Sequence, residues 1–517
     1  MSARPPTSPG TVAAFWLAIA LFAGLLFGIR DYVTDDTFIH LQFAKHLRDG
    51  QGLVFNTGDP VPASTSPLWP IVLGLVGKGG ADLLRLAKAL SVLAGFLALA
   101  AMFAAATKLM LREEHAQAAV VAWAANAWMA RWTVSGMETA LAVALVLAGW
   151  NVAWGDGRAG GPGRRFRVGF LWGLAALARP EAGLLVALYA AASAFWPDGA
   201  PGGARTGQRI TSFLAVVFGA AVVVVPYAIF AAIQYGTLLP STLAAKGSGA
   251  HGLEVIARQL VLAGKIVGAV CAVEVAACVL LAPRFRHLLR HGDSALHAAV
   301  WSWTVLVPVV YAVRGLPVLS RYLLPILPLV VLYGWWALEH FRLSREGRFR
   351  RIVLVAALGL SVAANVAVYR IQVVPHTSEF TAGMERTLIP WGKWLAANTP
   401  REALVATPDI GAIGYYSDRR VLDLGGLVTP GMVALMDRMD YDELVKSFAF
   451  RLAGRPDYLV DRGPGPARLM TESRFAPALT PLATARTQSL AMAKPGAVDY
   501  TLYRVNEAVA DSIAGQR

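Results

Sequence analysis

The stretch that decides the fold is TVAAFWLAIALFAGLLFGI, residues 11–29, running into DYVTDDTFIHLQFAKHLRDGQGLVFNTG, residues 31–58. The first segment carries no charge over about the length of a bilayer crossing. No small-x-small cleavage pattern precedes Arg30 and Asp31, so a retained first helix is expected rather than a signal peptide. The second segment sets Asp31, Asp35 and Asp36 beside the hydrocarbon. An ionised Asp near a bilayer centre costs about 2.5–3.5 kcal/mol, and less near the interface. Acids placed there are either solvated surface charge or the working part of the protein.

The rest of the chain has the same character. It has 517 residues, 56% of them hydrophobic and 15% charged, with a mean hydropathy of +0.51. A soluble domain is about a quarter charged, so an integral membrane protein is expected. The net charge of +14 would suit a nucleic-acid partner if the basic residues shared one soluble face. They lie instead in short loops between apolar runs, which is a topology signal. Cys271 and Cys278 sit in one apolar run and are too far apart along a helix for a disulfide.

Apolar runs near 11–29, 82–107, 116–133, 136–154, 211–234, 256–283, 297–313, 320–339 and 351–370 are candidate spans. The segment 168–196 is either one kinked helix or two short spans turning at Arg179-Pro180-Glu181. The clusters Arg158/Arg164/Arg165/Arg167, Arg205/Arg209, Arg284/Arg286/Arg290 and Arg342/Arg345/Arg348/Arg350/Arg351 fall on one side only if this segment crosses twice. That predicts about eleven spans with the N-terminus cytoplasmic. The same topology sends MARWTVSGME (129–138), ARPE (178–181), YGTLLPSTLAAK (235–246), RGLPVLSRYLLP (314–325) and the first loop, 30–66, to the outer face. Polar, Gly- and Pro-marked segments gathered on one face suggest a shared site.

The first loop is elaborate. FIHLQFAKHL is amphipathic, with Phe38, Leu41 and Lys45 spaced to lie along an interface. RDGQGLVFNTGDP makes a compact turn. Ser64-Thr65-Ser66-Pro67-Leu68-Trp69 then opens an apolar stretch, 67–77, too short to span and expected as a re-entrant or interfacial helix.

These pieces, with GxGxVFN at 50–56, SGMET at 135–139, YGTLLP with downstream Lys246, and ATPDIGAIGYYSDRRVLDLGGLVTP at 406–430, occur here in an order that resembles one family. The chain is similar to the GT-C glycosyltransferases, in particular the group containing the mycobacterial terminal arabinofuranosyltransferase. Ser241 stands where that group usually has Asn, and His40 and Gln42 replace more common small or basic residues. The resemblance implies a polyprenyl-phosphate sugar donor, a site on the outer face, and inversion at the anomeric carbon. The expected fold is a polytopic α-helical GT-C membrane domain over 1–370 and a soluble C-terminal α/β domain over 371–517.

The residues make chemical sense of that resemblance. An attacking hydroxyl needs a carboxylate within hydrogen-bond reach to take its proton, and adjacent acids raise one another's pKa. Asp35 is favoured as the base and Asp36 is the alternative, because neighbouring side chains on a helix diverge. The leaving lipid phosphate needs a cation. Arg179 and Arg321 are first choices for bidentate recognition, with Lys246 and Arg131 beside them. For each cation the plain alternative is ion pairing or snorkelling. His40, Thr65, Ser66, Trp69, Glu138 and Glu181 are candidate acceptor or loop contacts, the two glutamates alternatively serving as partners of the arginines.

No His/Cys pair has metal-ligand spacing, so no cofactor is expected to be required; a divalent cation on the aspartates is the alternative. No Walker or GxGxxG loop supports a nucleotide donor. Glu274 lies mid-span and must face protein. Beyond about 375, a helix over WGKWLAANTP and strands over ALVATPD, RRVLDLGG and RPDYLVDR suggest a small α/β layer, with Asp409, Tyr415, Tyr416 and Asp423 as sugar contacts or turn formers.

The expected protein is a monomeric enzyme of the bacterial inner membrane with its C-terminal domain periplasmic or extracellular. Its partners would be membrane lipids, a polyprenyl-phosphate sugar and an envelope glycan or glycolipid acceptor, with no nucleic acid. The competing functions are a lipid-linked glycan flippase or transporter, and a glycan ligase or polymerase. Transport predicts inverted repeats and midplane charge, and no convincing repeat is present.

Overall fold

The computed structural model describes residues 8–155, 161–196, 206–238, 252–280, 282, 285–289, 293–340, 347–490 and 496–515. The chain forms two compact units. One comprises Met1–Arg30, Lys88–Ile229 and Gly249–Pro375; the other comprises Asp31–Ala87, Phe230–Ser248 and His376–Arg517.

The first unit is helical. Its long members are α1 (Pro9–Gly28), α4 (Leu83–Leu109), α10 (Thr206–Tyr235), α11 (Leu253–Leu280), α12 (Ser294–Val313) and α15 (Gly347–Val368), with α4 and α10 each continuing into residues of the other unit. Six described helices are long and apolar enough to cross a membrane: α1, α4, α10, α11, α12 and the helical run Gly347–Asn398 that begins with α15. The protein is therefore a polytopic membrane protein.

The other crossings expected from hydropathy are built from shorter pieces. The run 116–133 is α5 (Glu113–Ala124) and α6 (Ala127–Val134), broken where Asn126 turns its side chain back to accept from Met129 N–H. The run 136–154 is α7 (Thr139–Ala153). The disputed segment 168–196 is two helices, α8 (Pro162–Ala178) and α9 (Glu181–Phe195). Arg179 between them is extended (φ −147°, ψ 117°), as a residue before proline prefers. The run 320–339 is a single turn, α13 (Ser320–Leu323), followed by α14 (Leu327–Glu339).

Packing in this unit is set by large aromatics and by glycines. Trp123, Trp132, Trp150, Trp172, Trp303 and Trp335 are all fully buried. Helices α8 and α10 meet backbone to backbone: a Cβ on Gly169 would lie 2.1 Å from the Val216 carbonyl oxygen, and one on Gly219 2.1 Å from that of Phe166. The mid-span Glu274 does face protein. Its Oε1 accepts from Ser361 Oγ at 2.7 Å and Trp335 Nε1 at 3.2 Å, just beyond a break in α11 at Cys271. Asn365 donates to the Val270 carbonyl at 2.8 Å, satisfying a group that the break releases.

The second unit contains α2 (Asp35–Arg48) and the short apolar α3 (Leu68–Val76), followed in sequence by the C-terminal α/β module. The module opens with α16 (Val374–Arg386), whose last turns lie in this unit, and α17 (Leu388–Asn398). It continues with β1 (Leu404–Thr407), α18 (Ile410–Ser417), β2 (Arg420–Asp423), β3 (Tyr458–Gly463), β4 (Leu479–Gln488) and β5 (Ala497–Val505). The sheet order is β2-β1-β3-β5-β4. β1 is parallel to β2 and β3, and β5 is antiparallel to β3 and β4.

The expected strands over ALVATPD, RRVLDLGG and RPDYLVDR are β1, β2 and β3. The hairpin β4–β5 goes beyond that reading. β4 is a largely exposed edge carrying Pro481 next to a register shift, a place where proline is tolerated in a sheet. The module core includes Ala406, Leu422, Leu459, Phe450 and Tyr503, with Phe448 and Phe475 stacked at 4.5 Å.

Candidate functional site

In the first unit the segments SGME, ARPE and SRYLL converge. Arg179, at the α8–α9 break, donates from Nη1 to Glu138 Oε1 at 3.1 Å and from Nε to Glu181 Oε1 at 2.9 Å. Tyr311 on α12 donates to the other Glu181 oxygen at 3.1 Å. Glu138 is 1% exposed and Arg179 5%. Such a buried ion triad ties the segment ending at Glu138 to the α8–α9 break, since removing one member would strand a charge. Arg179 therefore has the ion-pair partners that its sequence context offered.

Arg321 lies one layer away. Its guanidinium is 5.6 Å from the Trp132 ring and 5.2 Å from the Tyr322 ring, and it donates to Met137 Sδ at 3.4 Å. Arg179 sits 5.1 Å from the same Tyr322 ring, and Arg131 lies 4.9 Å from Trp132. Tyr322 stacks on Tyr311 at 5.0 Å with ring planes 6° apart, and Trp132 Nε1 donates to Ser320 Oγ at 2.9 Å. Two guanidinium groups thus lie against one tyrosine ring. Trp132, Tyr311 and Tyr322 had not been singled out from the sequence, although Trp132 and Tyr322 lie inside motifs that had.

In the second unit the aspartate pair opens α2. Thr34 caps the helix by accepting from Thr37 N–H at 3.2 Å. Asp35 is buried, and each of its oxygens accepts one backbone N–H: Gly411 N–H donates to Oδ2 and Ala412 N–H to Oδ1, each at 2.8 Å. Burial pushes the Asp35 carboxyl up to about 7, with Asp409 and Asp36 adding to the rise and the two amides opposing it. Asp36 is half-buried.

Asp409 stands in the N-cap position of α18 but makes no cap bond. Arg462 Nη1 holds its Oδ1 at 2.5 Å, and the Tyr500 hydroxyl holds its Oδ2 at 2.9 Å. Asp35, distant in sequence, does the capping instead. Asp423 is a turn former, accepting from Gly425, Leu427 and Val428 N–H.

The remaining first-loop residues build the support of α2. Asn56 of the GxGxVFN turn pairs with Val421 in both directions, donating to its carbonyl and accepting from its N–H at 2.9 Å each. Gln42 donates to the Phe55 carbonyl at 3.3 Å, His46 Nδ1 meets the Val54 carbonyl at 3.0 Å, and the Tyr235 hydroxyl donates to Leu53 O at 2.6 Å. Tyr415 and Tyr416 pack on Phe38 at 5.7 and 5.3 Å, and Lys45 pairs with Asp418 at 2.6 Å. His40 and Trp69 are buried, Ser66 is buried in the turn that begins α3, and Thr65 is half-buried. Lys246 lies outside the described residues. Among the described residues no group of three or more His, Cys, Asp or Glu side chains has metal-holding geometry.

Residues 377–503 match the model of a domain of unknown function, DUF8728. Over 251 residues the chain is 30% identical to the terminal beta-(1->2)-arabinofuranosyltransferase of Mycobacterium tuberculosis, covering 45% of this chain and 38% of that protein. The chain thus spans well under half of that curated relative. Among solved structures, the Archaeoglobus fulgidus oligosaccharyltransferase tethered to an acceptor peptide aligns with a TM-score of 0.56 at 12% identity, over 87% of this chain and 69% of that one. ArnT from Cupriavidus metallidurans bound to undecaprenyl phosphate aligns with a TM-score of 0.52 at 14% identity, over 96% and 98%. The chain has the GT-C fold, and in sequence it resembles the arabinofuranosyltransferase group to which its motifs point.

Proposed function

We propose that this chain is an integral-membrane glycosyltransferase of a bacterial inner membrane. It moves a sugar, arabinofuranose or another pentose or hexose, from a polyprenyl-phosphate carrier to a hydroxyl of an envelope glycan or glycolipid. The observation that carries the reading is the gathering of Arg179 and Arg321 on the Tyr322 ring, with Arg131 on the neighbouring Trp132. Guanidinium groups set against aromatic rings, with Arg179 already oriented by Glu138 and Glu181, suit paired N–H donation to a phosphate. ArnT's structure holds undecaprenyl phosphate, and a carrier of that class is proposed for this chain.

The acceptor oxygen attacks the anomeric carbon, and the bond from that carbon to the phosphate oxygen breaks. The electron pair leaves with the lipid phosphate, whose growing charge the arginines stabilise. A carboxylate of the Asp35/Asp36 pair takes the acceptor's proton. Attack opposite the leaving phosphate inverts the anomeric centre. Cations from arginine serve the role that a divalent ion would otherwise fill, so no metal is required in this reading. The N-terminus is assigned to the cytoplasm, and the module, with the acceptor, to the outer side. The working form is assigned as a monomer.

The test is transfer from a polyprenyl-phosphate sugar series to envelope acceptors in detergent, with and without EDTA. Transfer that survives EDTA and disappears in the Asp35→Asn/Asp36→Asn double variant is expected. Undiminished transfer by the double variant, or carrier flipping without any glycosidic product, overturns the reading.

A further inference from the structure

We infer that Asn365 is a positioning residue for the donor phosphate: its buried side-chain amide sets the short helix α6, and with it Arg131 and Trp132, against Arg321. The inference rests on the glycosyltransferase reading above and adds to it a residue that acts through α6 rather than on the substrate.

Helix α6 (Ala127–Val134) is only eight residues long, too short to hold its place by its own backbone bonds. It carries Arg131 and Trp132, so the cluster assigned to the phosphate is only as well ordered as the ties on this helix. Those ties are side-chain hydrogen bonds from three directions. At the N-terminus, Asn365 Oδ1 on α15 accepts from Ala127 N–H at 3.1 Å, and Asn126 Oδ1 accepts from Met129 N–H at 3.0 Å. These satisfy donors that a helix leaves open at this end. On the flank, Trp128 Nε1 donates to the Ile266 carbonyl of α11 at 3.1 Å. One turn on, Trp132 Nε1 donates to Ser320 Oγ at 2.9 Å, and Ser320 directly precedes Arg321.

Asn365 joins these directions. It is 1% exposed. Its nitrogen donates to the Val270 carbonyl of α11 at 2.8 Å and to the Ser361 carbonyl of its own helix at 3.0 Å, while its oxygen meets α6. The two carbonyls fix which way the amide faces, because a flipped group would set N–H against the Ala127 N–H. Val270 adjoins the break at Cys271, and an unbroken helix would have used that carbonyl itself. One side chain therefore spaces α6, α11 and α15.

Arg131 follows Ala127 by four residues, about one turn and 6 Å along α6. Two turns of helix move as a unit, so a shift at Ala127 reaches Arg131 and Trp132. Arg131 lies 4.9 Å from the Trp132 ring and Arg321 5.6 Å from it. Displacing that ring changes the spacing of the guanidinium groups offered to the phosphate, and a misplacement of about 1 Å can cost on the order of 100-fold.

The experiment uses the full chain in detergent and compares wild type, Asn365→Leu, Trp128→Phe and Ser361→Ala. It measures the Kd for undecaprenyl phosphate, donor and acceptor KM, and melting temperature. Leu has the branching of Asn without its polar atoms, so the Ala127 and Val270 groups lose their partner. Trp128→Phe removes the tie to Ile266 alone. Ser361→Ala is the control: it removes a buried bond to Glu274 from the same stretch of α15 without touching α6. Asn365→Leu is expected to weaken carrier binding and raise donor KM about 10- to 100-fold, with acceptor KM unchanged. Trp128→Phe should do the same by about fivefold, the worth of one hydrogen bond. Ser361→Ala should lower the melting temperature and keep wild-type carrier affinity.

Wild-type carrier affinity in Asn365→Leu overturns the inference. So does a loss in Ser361→Ala as large as in Asn365→Leu, which would trace the effect to stability rather than position. Should Asn365→Leu not fold, Trp128→Phe decides alone, and unchanged affinity there overturns it. All of these outcomes leave sugar transfer standing. A wild-type chain that neither binds undecaprenyl phosphate nor transfers sugar removes the glycosyltransferase reading itself, and this inference with it.

Discussion

Gly411→Ala tests the contact between α2 and α18 with one methyl group. Gly411 has no unusual backbone angle, so alanine is tolerated by the helix itself and gains about 1 kcal/mol in propensity over glycine. The added Cβ would lie 2.0 Å from the Asp35 carbonyl oxygen and 2.9 Å from its Cγ. Reaching even a tight contact needs the helices to part by about 1 Å. That stretches the two amide–carboxylate bonds, now 2.8 Å each, beyond hydrogen-bonding distance. Bonds to a charged group contribute about 1.5–3 kcal/mol each. Water entering the opened edge replaces part of this, and the propensity gain offsets more, leaving a net loss on the order of 2 kcal/mol. Local opening of α18 should then be about 30-fold more frequent. Hydrogen exchange read by mass spectrometry over residues 408–418, in detergent, measures it directly. Wild-type protection in Gly411→Ala, with wild-type turnover, would refute the claim that this contact holds the helix.

Two further predictions concern charge. The Asp35 carboxyl is raised from 3.8 to about 7, first by burial, so between those values the folded chain keeps a proton that the unfolded chain releases. Its contribution to stability is therefore fully present below about pH 4 and declines as pH rises toward 7, by something on the order of 4 kcal/mol. Melting of wild type minus Asp35→Asn across pH 4–8 should show this slope, and a flat difference would contradict it. Arg321→Lys keeps the charge but loses the flat guanidinium between Trp132 and Tyr322. Donor KM is expected to rise about 10- to 100-fold, the equivalent of about 1.4–2.8 kcal/mol, with the melting temperature little changed; an unchanged KM would take Arg321 out of donor binding.

Much of the architecture could be read along the chain because hydropathy and breaker residues act locally. The retained first helix, the short apolar α3, the turn at Arg179-Pro180 and the strands β1 to β3 each follow from a window of some ten to twenty residues. The same averaging hid the break at Asn126, a single polar residue in an apolar run, which only its side-chain bond to Met129 N–H reveals. It also hid β4, an exposed edge strand interrupted at Pro481 and lacking a buried alternating face.

Partnership was another matter. Arg179 and the two glutamates were legible as an ion network because they sit in short polar motifs, though which loops they tie together was not. Asp409 occupied a cap position by pattern, yet Arg462 and Tyr500 claim it and Asp35 caps α18 from 376 residues away. By itself the amino-acid order determined that the chain lives in a membrane, where its helices break, and which acids and arginines stand out as candidates for chemistry. Only the tertiary structure decided which aspartate is gripped on both oxygens. A carboxylate's role depends on the amides and charges packed around it, and those come from parts of the chain that no local pattern joins.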